Sequence, residues 1–104
     1  MNTDQVKSEE LSQAVVMYLG FGVDSLPTQK RALLLETFGA ESGALLAEVV
    51  VSLVDEISRT KINWSLQSLE SAGEMAMTEM RSRHPELTGS ALQALKWKFT
   101  YDWR

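Results

Sequence analysis

Apolar residues recur every three or four positions through most of this chain, and this spacing limits the possible folds more than any other feature. On an α-helix such residues share one face, which is buried against a neighbouring element. The pattern is interrupted at Gly20-Phe21-Gly22, Gly39, Thr60-Lys61 and His84-Pro85. The sequence therefore predicts an all-α protein, a compact bundle of about five helices in a single domain that spans residues 1–104.

The five segments between these interruptions are the predicted helices. They cover residues 4–19, 25–38, 42–59, a fourth from 63 or 65 to 84, and a fifth that begins near residue 90. Ser25 followed by Pro27 is a typical helix start, because proline lacks the N–H that is unpaired in a first turn. Ser90 and Gln93 have the spacing of a capping box. The third segment is the most apolar, and we expect it to lie at the centre of the bundle.

The fourth segment carries a heptad-like stripe. Its members are Ile62, Leu66, Leu69, Gly73, Ala76 and Met80. Steps of four and three residues are typical of helices that pack along a seam, and Gly73 permits a close approach there. We interpret the stripe as a contact with another helix of the bundle or, alternatively, as a self-association seam of a homodimer.

The last nine residues follow a different period. Aromatic residues occupy positions 97, 99, 101 and 103, and polar residues alternate with them. A period of two is typical of a half-buried strand. The pattern therefore allows two arrangements: the last helix ends near Lys98 and this aromatic segment extends over the bundle, or the segment pairs with another element.

Composition limits the possible chemistry. The absence of cysteine excludes disulfides, thiolate zinc sites and cysteine nucleophiles. The N-terminus does not resemble a signal peptide, and the longest apolar stretch is far shorter than the about 20 residues of a membrane span. We expect a cytoplasmic protein that has no cofactor and does not enter a membrane.

Catalytic and metal-binding patterns are weak. His84 is the only histidine, and the sequence around it lacks a nucleophile-elbow motif. Glu70, Glu74 and Glu79 follow one another on the fourth helix without the Glu-x-x-His pairs of a di-iron bundle. We predict no catalytic residues, no metal site and no enzymatic activity. The alternative is a small enzyme or ligand binder that uses His84 with these carboxylates.

Partner binding is the function that the residues favour. Trp and Tyr anchor interfaces as well as cores, and the net charge of −4 suits a basic partner. The predicted partner contacts are Phe21, Lys96, Trp97, Lys98, Phe99, Tyr101 and Trp103. We predict a non-catalytic interaction module, a small acidic inhibitor, immunity-type protein or adaptor that occludes a basic protein. A further alternative is a nucleic-acid-associated regulator that uses the basic, aromatic C-terminus, although the acidic net charge disfavours it.

Overall fold

A computed structural model describes residues 3–103 of the chain and the side chains of residues 9–103. The helices are α1 (Thr3–Leu19), α2 (Arg31–Phe38), α3 (Ala40–Ser58), α4 (Leu69–Arg83) and α5 (Gly89–Asp102). Residues 3–103 contain no strand. The prediction of an all-α bundle of five helices is confirmed.

The third helix contacts each of the other four, as predicted for the most apolar segment. It buries a single stripe, which consists of Gly43, Ala47, Val50, Leu53 and Ile57. On its outward face Leu45 and Val49 are exposed. Helix α3 is therefore central in its contacts, although one of its faces points to solvent.

The second helix begins at Arg31 and not near Ser25. The residues before it form hydrogen bonds to the end of α1: the N–H of Thr28 donates to Leu19 O (2.9 Å) and the N–H of Lys30 to Tyr18 O (2.9 Å). These bonds take backbone donors that a helix would use internally. Pro27 therefore belongs to a connecting segment that runs alongside α1.

The fourth helix begins at Leu69, where the Ser68 hydroxyl accepts a hydrogen bond from the N–H of Ser71 (3.1 Å). The preceding residues form an irregular segment with a turn at residues 64–66. Ile62 and Leu66 thus lie outside α4, and the predicted six-residue stripe is not one continuous helical face. Its central members are Gly73, Ala76 and Met80, all buried.

The buried part of this stripe packs against α5 of the same chain. A Cβ atom at Gly73 would lie 2.8 Å from Thr100 Cγ2 and 3.2 Å from Lys96 Cε. The close approach predicted at Gly73 is therefore an internal contact between α4 and α5. Of the six residues of the proposed self-association seam, Leu66 is the one that the structure leaves largely exposed.

The fifth helix corrects the prediction for the C-terminus. It is capped by Thr88, whose hydroxyl accepts a hydrogen bond from the N–H of Ala91 (3.2 Å), and it continues through Asp102 without an extended segment. A helix distributes the four aromatic residues around its axis, so they do not share one face. Phe99 enters the core, where it and Trp103 contact Trp64, whereas Trp97 contacts Phe21.

A hydrogen bond between distant residues ties the start of α5 to α1. The hydroxyl of Ser12, a buried polar side chain, accepts from the N–H of Thr88 (3.0 Å).

Over residues 3–103, none of the helices combines the length and apolar character that a bilayer crossing requires.

Candidate functional site

Two clefts on the outer side of α5 share Lys96 and Thr100. One has a volume of about 350 Å³ and is lined by Leu69, Glu70, Lys96 and Thr100. The other has a volume of about 230 Å³ and is lined by Phe21, Gln93, Lys96, Trp97 and Thr100. Because they share two lining residues, the clefts are neighbours on α5, and we call the two together the α5 groove.

The groove exists because α4 lies close to α5 at Gly73. Without a side chain at this position, Lys96 and Thr100 pack directly against the α4 backbone. The Lys96 ammonium then forms an ion pair with Glu74 on α4. The Lys96 side chain is largely covered by α4, and its positive charge is neutralised by Glu74. Packing and this ion pair therefore fix the position of Lys96 in the groove.

One aromatic pair lines the groove, and a second pair lies at the C-terminal end of α5. Phe21 and Trp97, which line one cleft, have ring centroids 5.6 Å apart. Trp103 follows Thr100 by three positions and lines neither cleft. Its ring lies 5.5 Å from that of Trp64. Trp64 and Trp103 are 41% and 48% exposed, so both offer aromatic surface to a ligand.

The α4 wall of the groove is acidic. Among the side chains that the structure describes, Glu70 is exposed and has no ion pair, whereas Glu74 is paired with Lys96. The groove therefore presents one uncompensated carboxylate beside aromatic and aliphatic surface. A cationic side chain that enters it finds both an ion-pair partner and π-faces.

The structure brings together three of the seven predicted partner-binding residues, because Phe21, Lys96 and Trp97 line the groove. Trp103 contacts Trp64 and lines neither cleft. Phe99 is completely buried and belongs to the core, so its assignment to a partner surface is corrected. Lys98 and Tyr101 lie on another side of α5.

Lys98 has structural contacts of its own. Its ammonium forms an ion pair with Asp102 (2.7 Å) and lies 5.9 Å from the centroid of the Tyr101 ring. It also lines a separate small cleft with Tyr18 and Val51. Both lysines of the C-terminal segment are thus paired with carboxylates, which weakens the alternative of nucleic-acid binding.

Sequence reasoning missed several residues that line the groove: Leu69 and Glu70 in this role, Gln93 and Thr100. It also missed Trp64, which contacts Trp103. Trp64 was detectable, because a tryptophan in the polar run Asn63-Trp64-Ser65 has few local residues to pack on. Thr100 and Gln93 carry no such signal. Their position in the groove follows from the packing of α4 against α5.

His84 lies in a separate cluster between α3 and α4. Its Nε2 is 2.9 Å from Glu56 Oε1 and 3.0 Å from Glu56 Oε2, and its Nδ1 is 3.5 Å from Glu86 Oε1. Arg83 connects Glu56 (3.2 Å) with Glu79 (3.3 Å). The carboxylates that face His84 are therefore Glu56 and Glu86.

This cluster differs from the one that the enzyme alternative required. Glu70 lines the α5 groove, and Glu74 forms an ion pair with Lys96. Glu79 is linked to His84 only through Arg83 and Glu56. His84 lines none of the four surface clefts described for this chain. Within the described residues, no group of three or more His, Asp or Glu side chains is arranged to hold a metal ion.

The pKa of Glu56 reflects opposing effects. Partial burial acts to raise the pKa of this carboxyl, but hydrogen bonds from His84 and Arg83 and their positive charges together outweigh burial. The pKa of Glu56 is consequently held below its ordinary value. Glu56 is thus the anionic centre of a clasp between α3 and the end of α4.

An exposed surface of a different kind lies on α3. Leu45 (64% exposed) and Val49 are neighbours on its outward face, and the exposed Glu41 and Glu48 lie on the same side. Leu45 and Val49 line none of the clefts described for this chain.

In comparisons with protein-family models, curated proteins and solved structures, the chain matches none.

Proposed function

We propose that the protein is a non-catalytic interaction module, of the inhibitor, immunity-type or adaptor kind, that binds and occludes a basic segment of a partner protein. The observation that carries the proposal is the α5 groove, in which two neighbouring clefts present the Phe21–Trp97 aromatic pair and, on the α4 wall, the unpaired carboxylate of Glu70. Exposed Trp side chains are typical anchors of protein interfaces.

The dimensions of the groove suit a peptide segment. From Gln93 to Thr100, the first and last groove residues of α5, the helix advances by ~10 Å, which is the length of roughly three residues of extended chain. The two clefts are open surface depressions rather than enclosed cavities. This shape favours a segment of a larger molecule over a small ligand that is buried on all sides.

Charge favours a basic partner. The chain carries a net charge of −4, and Glu70 forms no ion pair with any described residue, since the Lys96 ammonium beside it is paired with Glu74. A partner with a Lys or Arg opposite Glu70 gains a charge-assisted contact beside apolar surface. The overall acidic field also accelerates the encounter with a basic protein.

Retention of the partner by the immobilised full chain tests the proposal. The chain is incubated with an extract of the source cell, and the wild type is compared with Glu70→Lys and Trp103→Ala. Glu48→Lys is the matched control, since it makes the same charge change on α3. We expect the wild type and Glu48→Lys to retain the same protein, and Glu70→Lys to retain about tenfold less of it.

Two results of this comparison contradict the proposal. If all four chains retain the same proteins equally, the groove is not the binding surface. If Glu48→Lys alone abolishes retention, the partner binds the outward face of α3. A His84→Ala variant should bind like the wild type, and its loss of binding would favour the alternative that relies on His84.

A further inference from the structure

We infer that the partner segment crosses α5 and places a cationic side chain in the cleft beside Glu70 and a large apolar side chain in the cleft beside Phe21 and Trp97. This inference rests on the proposed function and specifies the chemistry of the segment. Three observations lead to it: the different linings of the two clefts, their positions on opposite sides of one stripe of α5, and the free amide of Gln93.

The two clefts of the groove differ in chemistry. The first is lined by Leu69 and by Glu70, whose exposed carboxylate has no ion pair among the described residues. A carboxylate of this kind attracts a cation and forms a charge-assisted hydrogen bond with it. The second cleft is lined by the rings of Phe21 and Trp97, and no acidic residue belongs to its lining. Apolar side chains suit such rings, so each cleft selects a different side chain.

The clefts lie on opposite sides of one stripe of α5. Lys96 and Thr100 line both clefts, and their spacing of four residues places them on one face of the helix. The rest of the first cleft consists of the first two residues of α4. The second cleft continues to Trp97, which lies about 100° further around α5 than Lys96. A segment that occupies both clefts therefore passes over this stripe and crosses α5 obliquely.

The stripe carries no unpaired charge that would oppose the crossing. The ammonium of Lys96 is paired with Glu74, and the hydroxyl of Thr100 donates to Trp97 O (3.1 Å). Gln93 lines the second cleft, and its exposed amide has no hydrogen bond among the described residues. This amide can donate to a carbonyl and accept from an N–H of the crossing backbone.

Charge favours a segment of another protein over a second copy of this chain. Two copies each carry a net charge of −4 and repel each other. Light scattering of the wild type and of Glu70→Lys checks this point, and we expect both to be monomers. A dimer that Glu70→Lys dissociates would make a second copy the occupant and would overturn the inference.

Double-mutant cycles between the full chain and synthetic peptides test the two-cleft arrangement. The probes are capped peptides in which Arg and Phe are separated by one to four glycines, in both orders. Their Arg-to-Phe distances of ~7–17 Å when extended include the ~10 Å diameter of a helix. Control peptides replace Arg with Gln or Phe with Ala, and isothermal titration calorimetry measures Kd.

For the tightest probe we expect the replacement of Arg by Gln to weaken binding about tenfold and that of Phe by Ala about fivefold. In Glu70→Gln the first replacement should have no further effect, because its partner carboxylate is gone. Trp97→Ala should cancel the second replacement in the same way, and Phe21→Leu should reduce its effect. Across the two clefts the effects should be independent. Glu48→Gln is the charge control and should leave Kd unchanged.

The inference is overturned if no probe binds at millimolar concentration. It is also overturned if the preference for Arg persists in Glu70→Gln, or if the preference for Phe persists in both Trp97→Ala and Phe21→Leu. If these results occur while Glu70→Lys still loses the cellular partner that Glu48→Lys retains, the inference fails and the proposed function stands. If Glu70→Lys retains that partner normally, the proposed function fails as well.

Discussion

The absence of a side chain at Gly73 determines how closely α4 and α5 approach. Thr100 and Lys96 fill the space that any Cβ atom would occupy. The same contact forms the floor of the α5 groove. Gly73 contributes no side chain to the groove, but the close packing of helices that it allows determines the shape of the groove.

Replacement of Gly73 by Leu should destabilise the folded chain by about 1–3 kcal/mol, because the larger side chain forces α4 and α5 apart. Urea unfolding followed by circular dichroism measures the loss. Gly89→Ala is the control, since a Cβ atom there has no neighbour within 4 Å. If Gly73→Leu instead converted a dimer into a monomer of unchanged stability, the stripe would be a seam between copies, contrary to the packing described above.

The charge of Glu56 also acts at the scale of one residue. Its pKa is lowered in the folded chain, so its contribution to stability is complete above its ordinary value of 4.5. The contribution disappears as the pH falls through the lowered pKa of the folded state.

Glu56→Gln should therefore reduce the free energy of unfolding near neutral pH, and the difference from the wild type should shrink as the pH falls below 4.5. Urea titrations at a series of pH values measure this difference. Glu48→Gln, on the exposed face of α3, provides the control. A difference for Glu56→Gln that stays constant down to the lowest pH would show that the clasp with His84 and Arg83 contributes nothing through charge.

At the scale of elements, α3 shows why an apolar segment need not be buried all round. Its buried stripe advances in steps of four and three residues from Gly43 to Ile57. Leu45 and Val49 fall outside this stripe and are exposed. Periodicity located the helix correctly, but it did not show how many of its faces are covered.

Two leucines on α3 test this one-sided burial. Leu53→Ala should cost about 2–5 kcal/mol of stability, because Leu53 is 4% exposed and its removal leaves a cavity. Leu45→Ala should change stability by less than ~0.5 kcal/mol, since Leu45 is 64% exposed. Thermal and urea unfolding of the two variants measure the contrast. Similar losses for both would place Leu45 in an interface or in the core.

In the fifth helix, by contrast, periodicity predicted the wrong type of secondary structure for the last residues. Its alternating aromatic residues predict a strand when they are considered alone. In the structure the helix continues because Phe99 packs in the core and Trp97 and Trp103 contact Phe21 and Trp64, residues that are distant in sequence. The period of two was misleading here, because the contacts of these aromatic residues depend on the tertiary structure and not on their spacing in the sequence.

At the scale of the whole molecule, the distribution of charge is the property that bears on whether a basic protein or a nucleic acid is the partner. The net charge is −4, and both Lys96 and Lys98 are paired with carboxylates. These pairs leave little cationic surface on the C-terminal helix for a phosphate backbone. In the α5 groove, the unpaired charge is instead the negative carboxylate of Glu70.

The chain should accordingly elute from a nucleic-acid column without retention at low salt, and its elution should not depend on salt concentration. Retention of a basic partner protein by the immobilised chain should weaken as salt is added, because an exposed ion pair at Glu70 is screened. Elution from the nucleic-acid column and retention of the partner at several salt concentrations measure both effects. Salt-dependent retention on the column would support the nucleic-acid alternative.

The amino-acid sequence by itself determined that this protein is helical, that it has five helices, and approximately where α1 and α3 lie. These properties depend on interactions between residues three or four positions apart. The tertiary structure decided where α2 and α4 begin, that the last residues remain helical, and that Gly73 faces α5. It also assembled the α5 groove from Phe21, Glu70 and Trp97, because contacts between residues so far apart depend on how the helices pack together.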